Sequence, residues 1–294
     1  MTESPLVSVI IPCYNAEKYV EQAVRSIMTQ TYKNLEILIT DDCSTDSSFA
    51  ILQKLAKEDS RIKLFKNEQN QKIVRTLNTL VERANGKYIA RMDADDISLQ
   101  KRIEKQVEFM EANPDIAICG TNAWHIDEAN RVISKSHLPI YNSEIQLFKN
   151  FANPFYHPSV VIRSSVLKEC LYDEKFLLAE DYDLWIRILA KRKGSNLRNR
   201  FLYYRILQSS LSHDSQTKKK QQKISEQVHA LRDFKLLGKM NNPLLVGQIL
   251  YYGLKNKEYT VRQIISFKKF YSIVVFIIFE SVQRYFLHGR KINA

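Results

Sequence analysis

The sequence predicts an α/β fold: a mainly parallel sheet flanked by helices. Three observations carry that expectation. Short apolar runs alternate with amphipathic stretches through the first 120 residues. Their spacing suits βαβ units with right-handed crossovers. The segments that follow the second and fourth runs are acidic, and in open parallel sheets ligands bind beyond the carboxyl ends of the strands.

The elements follow in order. Residues 7–12 (VSVIIP) read as a buried strand. Asn15 is placed to cap the next helix, whose apolar face is Val20, Ala23, Val24, Ile27 and Met28. Residues 36–40 (EILIT) form the second strand, and Asp46 is placed to cap a helix presenting Phe49, Leu52, Leu55 and Ala56. Residues 62–65 form a third strand, followed by a helix facing inward through Ile73, Leu77, Leu80, Val81 and Ala84. Residues 87–92 (KYIARM) make the fourth strand, and 99–112 a further helix. From about residue 122 the periodicity is broken by Pro139, Pro154 and Pro158, until 180–189 (EDYDLWIRIL) gives a clear helical signal.

The net charge of +12 is unevenly placed. Residues 216–294 hold 15 Lys+Arg against 4 Asp+Glu, and residues 1–215 hold 29 against 28. The chain therefore reads as a near-neutral body, 1–215, and a basic helical C-terminal region, 216–294, suited to an anionic partner such as a membrane surface. The apolar run 270–279 is too short to span a bilayer, which takes roughly 20 residues. It reads either as a helix lying at a membrane surface or as one packed on the body. The basic region has no recognisable nucleic-acid motif, so no nucleic acid is expected. Cys13, Cys43, Cys119 and Cys170 form no CxxC pair and read as free thiols in a reducing cytoplasm. Residues 1–6 lack a basic segment leading into an apolar one, so no secretory signal is expected.

Three constellations carry chemistry. Asp93-Ala94-Asp95-Asp96 follows a buried strand. Mg2+ or Mn2+ prefers hard oxygen ligands and bridges carboxylates to substrate phosphates, although an Asp-rich turn also caps helices. Asp41-Asp42 ends a neighbouring strand, where a carboxylate can accept from a nucleobase or ribose, or simply shape a turn. In Glu180-Asp181-Tyr182-Asp183-Leu184-Trp185, Asp181 and Trp185 are four apart and share a helix face. A carboxylate beside an aromatic ring suits a sugar site. Acidic residues are also favoured at a helix start by the dipole alone.

Taken together, VSVIIPCYNAEKYVEQAVRSIMTQTY, EILITDDCSTDSS, KYIARMDADD and AEDYDLWIRIL, in this order and spacing, resemble the family 2 glycosyltransferases of the GT-A (nucleotide-diphospho-sugar transferase) fold. The likeness is closest to bacterial members that build capsule, exopolysaccharide and other surface glycans. It covers about residues 5–212, including Arg102 and Gln106, NPDIAICGT at 113–121, HPSVVIR at 157–163 and Tyr204-Arg205. The resemblance implies an inverting, metal-dependent transfer of a sugar from a nucleotide diphosphate donor, UDP-linked most often, to an acceptor hydroxyl. Pro12 and Tyr14 would line the nucleobase pocket, Asp42 would bond the base and Asp93 would contact the ribose region. Asp95 would ligate Mn2+ or Mg2+, and Asp181 would be the general base. Glu180, Trp185 and His157 are candidates for acceptor or sugar contact, with a structural place for His157 as the alternative. His213 either assists at the metal or is a surface histidine. With the basic region, the resemblance implies a polyprenyl-diphosphate-linked glycan acceptor and a peripheral place on the inner face of the plasma membrane.

The chain departs from the family pattern between strands three and four. Lys72 and Leu80, after Asn70 and Asn78, stand where members often carry glycine, and Leu207 stands where many carry histidine. These departures bear on contacts to the phosphates. A nicotinamide-dependent oxidoreductase would need a glycine-rich turn after the first strand, and the first glycine is Gly86. A phosphatase would place its D-x-D after the first strand rather than the fourth. A catalytically inactive subunit of a glycan-assembly complex would be expected to have lost one of the carboxylates.

Overall fold

The structure, a computed structural model, describes residues 4–149 and 152–207. The basic region 216–294, the run 270–279 and His213 lie outside the described residues.

The first strand, β1 (Val7–Cys13), is buried at every position, as is β2 (Leu35–Asp41). The two pair in parallel, with β3 (Ile62–Lys66) outside β2 and β4 (Tyr88–Arg91) on the other side of β1. β-Branched residues suit such central strands, which are covered on both faces and so read as unbroken apolar runs. The sheet continues through β8 (Val161–Arg163), β6 (Ile116–Ile126), β9 (Lys193–Arg205) and β5 (Ile97–Ser98), with β7 (Val132–Lys135) paired to β6. β4–β8, β8–β6 and β9–β5 are antiparallel, whereas β6–β9 is parallel. The predicted parallel sheet is therefore the first half of a mixed one.

Helices cover both faces. Val9 and Ile11 face α1 (Val20–Met28), α2 (Ser48–Glu58) and α4 (Arg102–Ala112) through Val24, Ile27, Leu52, Leu55, Ile103 and Val107. Ile10 and Leu38 face α3 (Lys72–Arg83), α6 (Ser164–Cys170) and α7 (Glu180–Lys191) through Val74, Leu77, Val166, Leu184 and Trp185. The alternation along β1 is the period-2 rule at work. A short helix, α5 (Asn142–Phe148), precedes the segment that carries Asn153.

Glu36 is the one acidic side chain in the middle of β2. Burial favours its neutral form, but Lys63, the Ser8 hydroxyl and the Asn85 N–H prevail and bring it down to about 2. Gly86 belongs to the same corner. A Cβ there would lie 2.7 Å from the Leu6 carbonyl oxygen, so only glycine allows this approach.

One capping expectation changes and one holds. Asn15 has φ 48, and α1 begins five residues later. Its Oδ1 instead accepts from Thr45 N (2.8 Å), and its own N–H donates to Ser44 Oγ (3.0 Å). Asn15 thus ties the β1 and β2 exits together. Asp46 does accept from Ser48 N, the first residue of α2, and also from Glu17 N. The cysteines are free, as expected.

Candidate active site

Strand β4 delivers the acidic loop. Its last residue, Arg91, is 4% exposed, and its guanidinium is ion-paired with Asp93. The loop is held from beneath and from the far side. Arg102, fully buried at the start of α4, donates from Nη2 to Arg91 O (2.8 Å), and Gln106 donates to Cys119 O (2.6 Å) and Ser159 O (2.9 Å). At the end of β9, Arg205 donates its N–H to Asp96 Oδ1 (2.7 Å) and its Nε–H to the Asp95 carbonyl (2.7 Å).

So constrained, Asp93, Asp95 and Asp96 each offer a carboxylate oxygen within 4.8 Å of the other two. Burial raises Asp95 to about 6, helped by the Asp93 charge and opposed by Arg91 and Arg205. Burial lifts Asp96 well above the carboxylate range, with repulsion from Asp95 and Asp93 adding to it. Asp96 Oδ2 is buried without a hydrogen-bond partner. A dense, partly desolvated acidic group of this kind gains from a cation.

The second carboxylate group stands in the first turn of α7. Asp181 Oδ2 accepts from Asn153 Nδ2 (2.6 Å) and Oδ1 from Tyr182 N (2.7 Å). Burial pushes Asp181 up, and these donors and Arg91 pull it back. Glu180 rises to about 7 through burial, then through the Asp181 charge.

The two groups share neighbours. The Arg91 charge acts on Asp95 and Asp96 and also on Glu180 and Asp181. The buried Tyr172 hydroxyl, bonded to His157 Nε2 (2.8 Å), feels Arg91, Asp181, Glu180 and Asp93. The acidic loop and the start of α7 are therefore both within electrostatic reach of Arg91 and Tyr172.

The nucleotide-facing candidates sit at the exits of β1 and β2. Pro12 is buried, and Tyr14 is 51% exposed. Asp42 Oδ1 accepts from Asn67 Nδ2 and Gln71 N, both at 2.7 Å. An open groove of 550 Å³, lined by Lys66, Asn67, Glu68, Gln69 and Gln71, runs beside it. A second, of 310 Å³, continues past Lys72 to Glu174 and Leu177. Neither groove is lined by the carboxylates of the 93–96 loop; both lie on the β3–α3 side.

Two of the candidates for sugar contact are buried. Trp185 is 0% exposed and packs edge-on against Phe155 and His157 (both 5.7 Å between centroids), so its ring has no free face for a sugar. It shares a face with Asp181, but one turn deeper. His157 is also buried; its bond to Tyr172 gives it a supporting place behind the site rather than a contact in it, and burial holds it neutral. Sequence reasoning missed Arg91, Tyr172 and Asn153. For Arg91 a signal existed: a lone arginine inside an otherwise apolar strand directly before the acidic run.

A mixed sheet with open loops at the exits of its parallel half, an acidic turn after the fourth strand and further carboxylates at the start of a later helix is the architecture of a GT-A glycosyltransferase. The chain belongs to glycosyl transferase family 2, whose family model matches residues 8–171. It is 37% identical over 213 residues to an uncharacterized glycosyltransferase of Methanocaldococcus jannaschii, covering 69% of this chain and 72% of that protein. It is 33% identical over 242 residues to WfgD of Escherichia coli, a UDP-Glc:alpha-D-GlcNAc-diphosphoundecaprenol beta-1,3-glucosyltransferase, covering 81% of this chain and 88% of that protein. Among solved structures, S. aureus TarS in complex with UDP-GlcNAc superposes with a TM-score of 0.63 at 17% identity, over 85% of this chain and 72% of that one. The mannosyltransferase PcManGT from Pyrobaculum calidifontis, in complex with GDP-Man and Mn2+, gives 0.56 at 15% identity, over 97% and 85%. These two share the fold.

Proposed function

We infer that the protein transfers a sugar from a nucleotide diphosphate donor, UDP-linked by preference, to a hydroxyl of a lipid-linked oligosaccharide, with inversion at the anomeric carbon, in surface-glycan assembly. The observation that carries this reading is one buried cation shared by two carboxylate groups: Arg91 is ion-paired with Asp93, and its charge acts on Asp95 and Asp96 and also on Glu180 and Asp181.

Each residue then has a task. Tyr14 offers an exposed ring at the end of β1 for the nucleobase, with Pro12 beneath. Asn67 and Gln71 hold Asp42 by one oxygen, and the other is offered to the base. Asp93 takes the ribose side. Asp95, with its neighbours in the loop, would hold Mn2+ or Mg2+, a fit supported by three clustered hard oxygen donors and the partnerless Asp96 Oδ2. Bound there, such a cation supplies Lewis-acid neutralisation of the donor diphosphate.

Asp181 is the general base. The acceptor O–H proton passes to its carboxylate, the acceptor oxygen bonds the anomeric carbon from the face opposite the diphosphate, and the bond to the diphosphate oxygen breaks with its electron pair. Burial raises the basicity of Asp181, and base assistance of this kind contributes about 10² to 10⁴ in rate. Glu180, beside it, is placed to accept from a sugar hydroxyl.

The acceptor class is supported by the Escherichia coli relative, which acts on a diphosphoundecaprenol-linked sugar. Among the described residues no helix is long and apolar enough to cross a membrane. Attachment to the inner face of the membrane is assigned to the basic region 216–294 on its surplus of positive charge. The test is transfer from UDP-sugars with Mn2+ to a polyprenyl-diphosphate-linked acceptor, with the product anomer read by NMR. Inversion is expected, and a product that retains the donor configuration contradicts the mechanism.

A further inference from the structure

The segment that follows α5 is fastened to α7 and β9 at several points. The Tyr182 hydroxyl donates to the Lys149 carbonyl. Asn196, 1% exposed, donates from one amide to the Pro139 carbonyl (2.7 Å) and the Pro154 carbonyl (2.9 Å). Phe155 packs against Trp185. Within this frame Asn153 has one orientation. Its Oδ1 accepts from Phe155 N (3.2 Å), so its Nδ2 is the end that faces α7, and it donates to Asp181 Oδ2 at 2.6 Å.

We propose that Asn153 is the positioning residue of the catalytic base: its side-chain amide fixes the rotation of the Asp181 carboxylate and keeps it ionised for the acceptor. The chemistry requires such a device. A carboxylate in the first turn of a helix turns about its terminal torsion unless both oxygens are held, because that torsion is broad. Tyr182 N holds Oδ1, and Asn153 holds Oδ2. With both held, one lone pair on each oxygen is committed and the remaining pairs point in fixed directions. A donor to the charged form also opposes what burial does to Asp181, since a hydrogen bond to the ionised state favours it. Asparagine suits the place better than a cation would: it supplies a donor without a second charge beside Arg91.

This inference rests on Asp181 being the base, and its test separates the two. Asn153→Leu removes the donor while keeping a side chain of similar shape and adds no charge beside Asp181; Asn153→Ala removes it together with most of the side chain. For each, kcat is measured from pH 5.5 to 9 at saturating donor and Mn2+, beside UDP binding by calorimetry and a melting curve. In both variants the acid limb of the kcat profile is expected to move up by about one pH unit, and kcat at pH 7 to fall about tenfold. UDP affinity is expected to stay within twofold. An acid limb that stays in place in folded Asn153→Leu overturns the positioning role, whatever Asn153→Ala does. If Asp181→Asn retains transfer, the base assignment fails instead, and the positioning role fails with it.

Discussion

The carboxylate of Asp93 is ion-paired with the guanidinium of Arg91, which lies 4% exposed at the end of β4. Through that position a single cation faces the acidic loop and the start of α7 together, and its charge opposes the upward shift of Asp95, Asp96, Glu180 and Asp181.

Replacing Arg91 by methionine keeps the stem and removes this charge. Removing one partner of a buried pair costs about 3–5 kcal/mol. The cost depends on pH with a definite sign. Without Arg91 the folded-state carboxylates rise further, while their unfolded values stay put. The variant therefore regains stability as pH falls through those raised values. Urea unfolding at pH 8 and at pH 5.5 checks this: the deficit relative to the parent is larger at pH 8.

Asp95 makes a related prediction for the unsubstituted chain. Its folded value of about 6 lies above the unfolded 3.8, so the ionised group costs stability above pH 6 and the cost fades as pH falls toward 4. Mn2+ at pH 7.5 compensates the same charge. Added Mn2+ should raise Tm by about 2–4 °C, and Asp95→Asn should abolish that rise. Differential scanning calorimetry with and without EDTA reads both.

Lys72 holds φ 69 at the first position of α3, where family members often carry glycine. A left-handed lysine costs about 1 kcal/mol, part of which glycine gives back as unfolded-state entropy. Lys72→Gly is expected to stabilise the fold by about 0.5 kcal/mol or less, seen as a higher denaturation midpoint with an unchanged slope.

The basic region makes a prediction about surfaces. The full chain should sediment with phosphatidylglycerol-containing vesicles and release as salt is raised, because exposed charges are screened over about 8–10 Å at ordinary ionic strength. Removal of residues 216–294 should end the sedimentation.

Much of this was legible in the sequence because it depends on local pattern. The apolar runs located β1 to β4, and the three aspartates after β4 located the loop that Arg205 holds, with Arg102 fastening the strand end before it. What stayed hidden depends on partners distant in the chain. Arg91 acquires its meaning from Asp181, and Asn153 from the same carboxylate. Helical spacing rightly put Trp185 on the face of Asp181, but spacing does not say how deep a turn lies, and Phe155 and His157 enclose the ring. Asn15 looked like a cap by residue type. Its positive φ suits the tie to Thr45 that the chain makes instead.

The most direct measurement is on Asp181→Asn, with sugar transfer and UDP-sugar binding assayed on the same preparation in Mn2+. A base facing a separately built donor site predicts transfer reduced at least about a hundredfold with donor affinity within about twofold. Transfer that survives the substitution, or donor affinity that disappears with it, would contradict the division of labour between the 93–96 loop and α7.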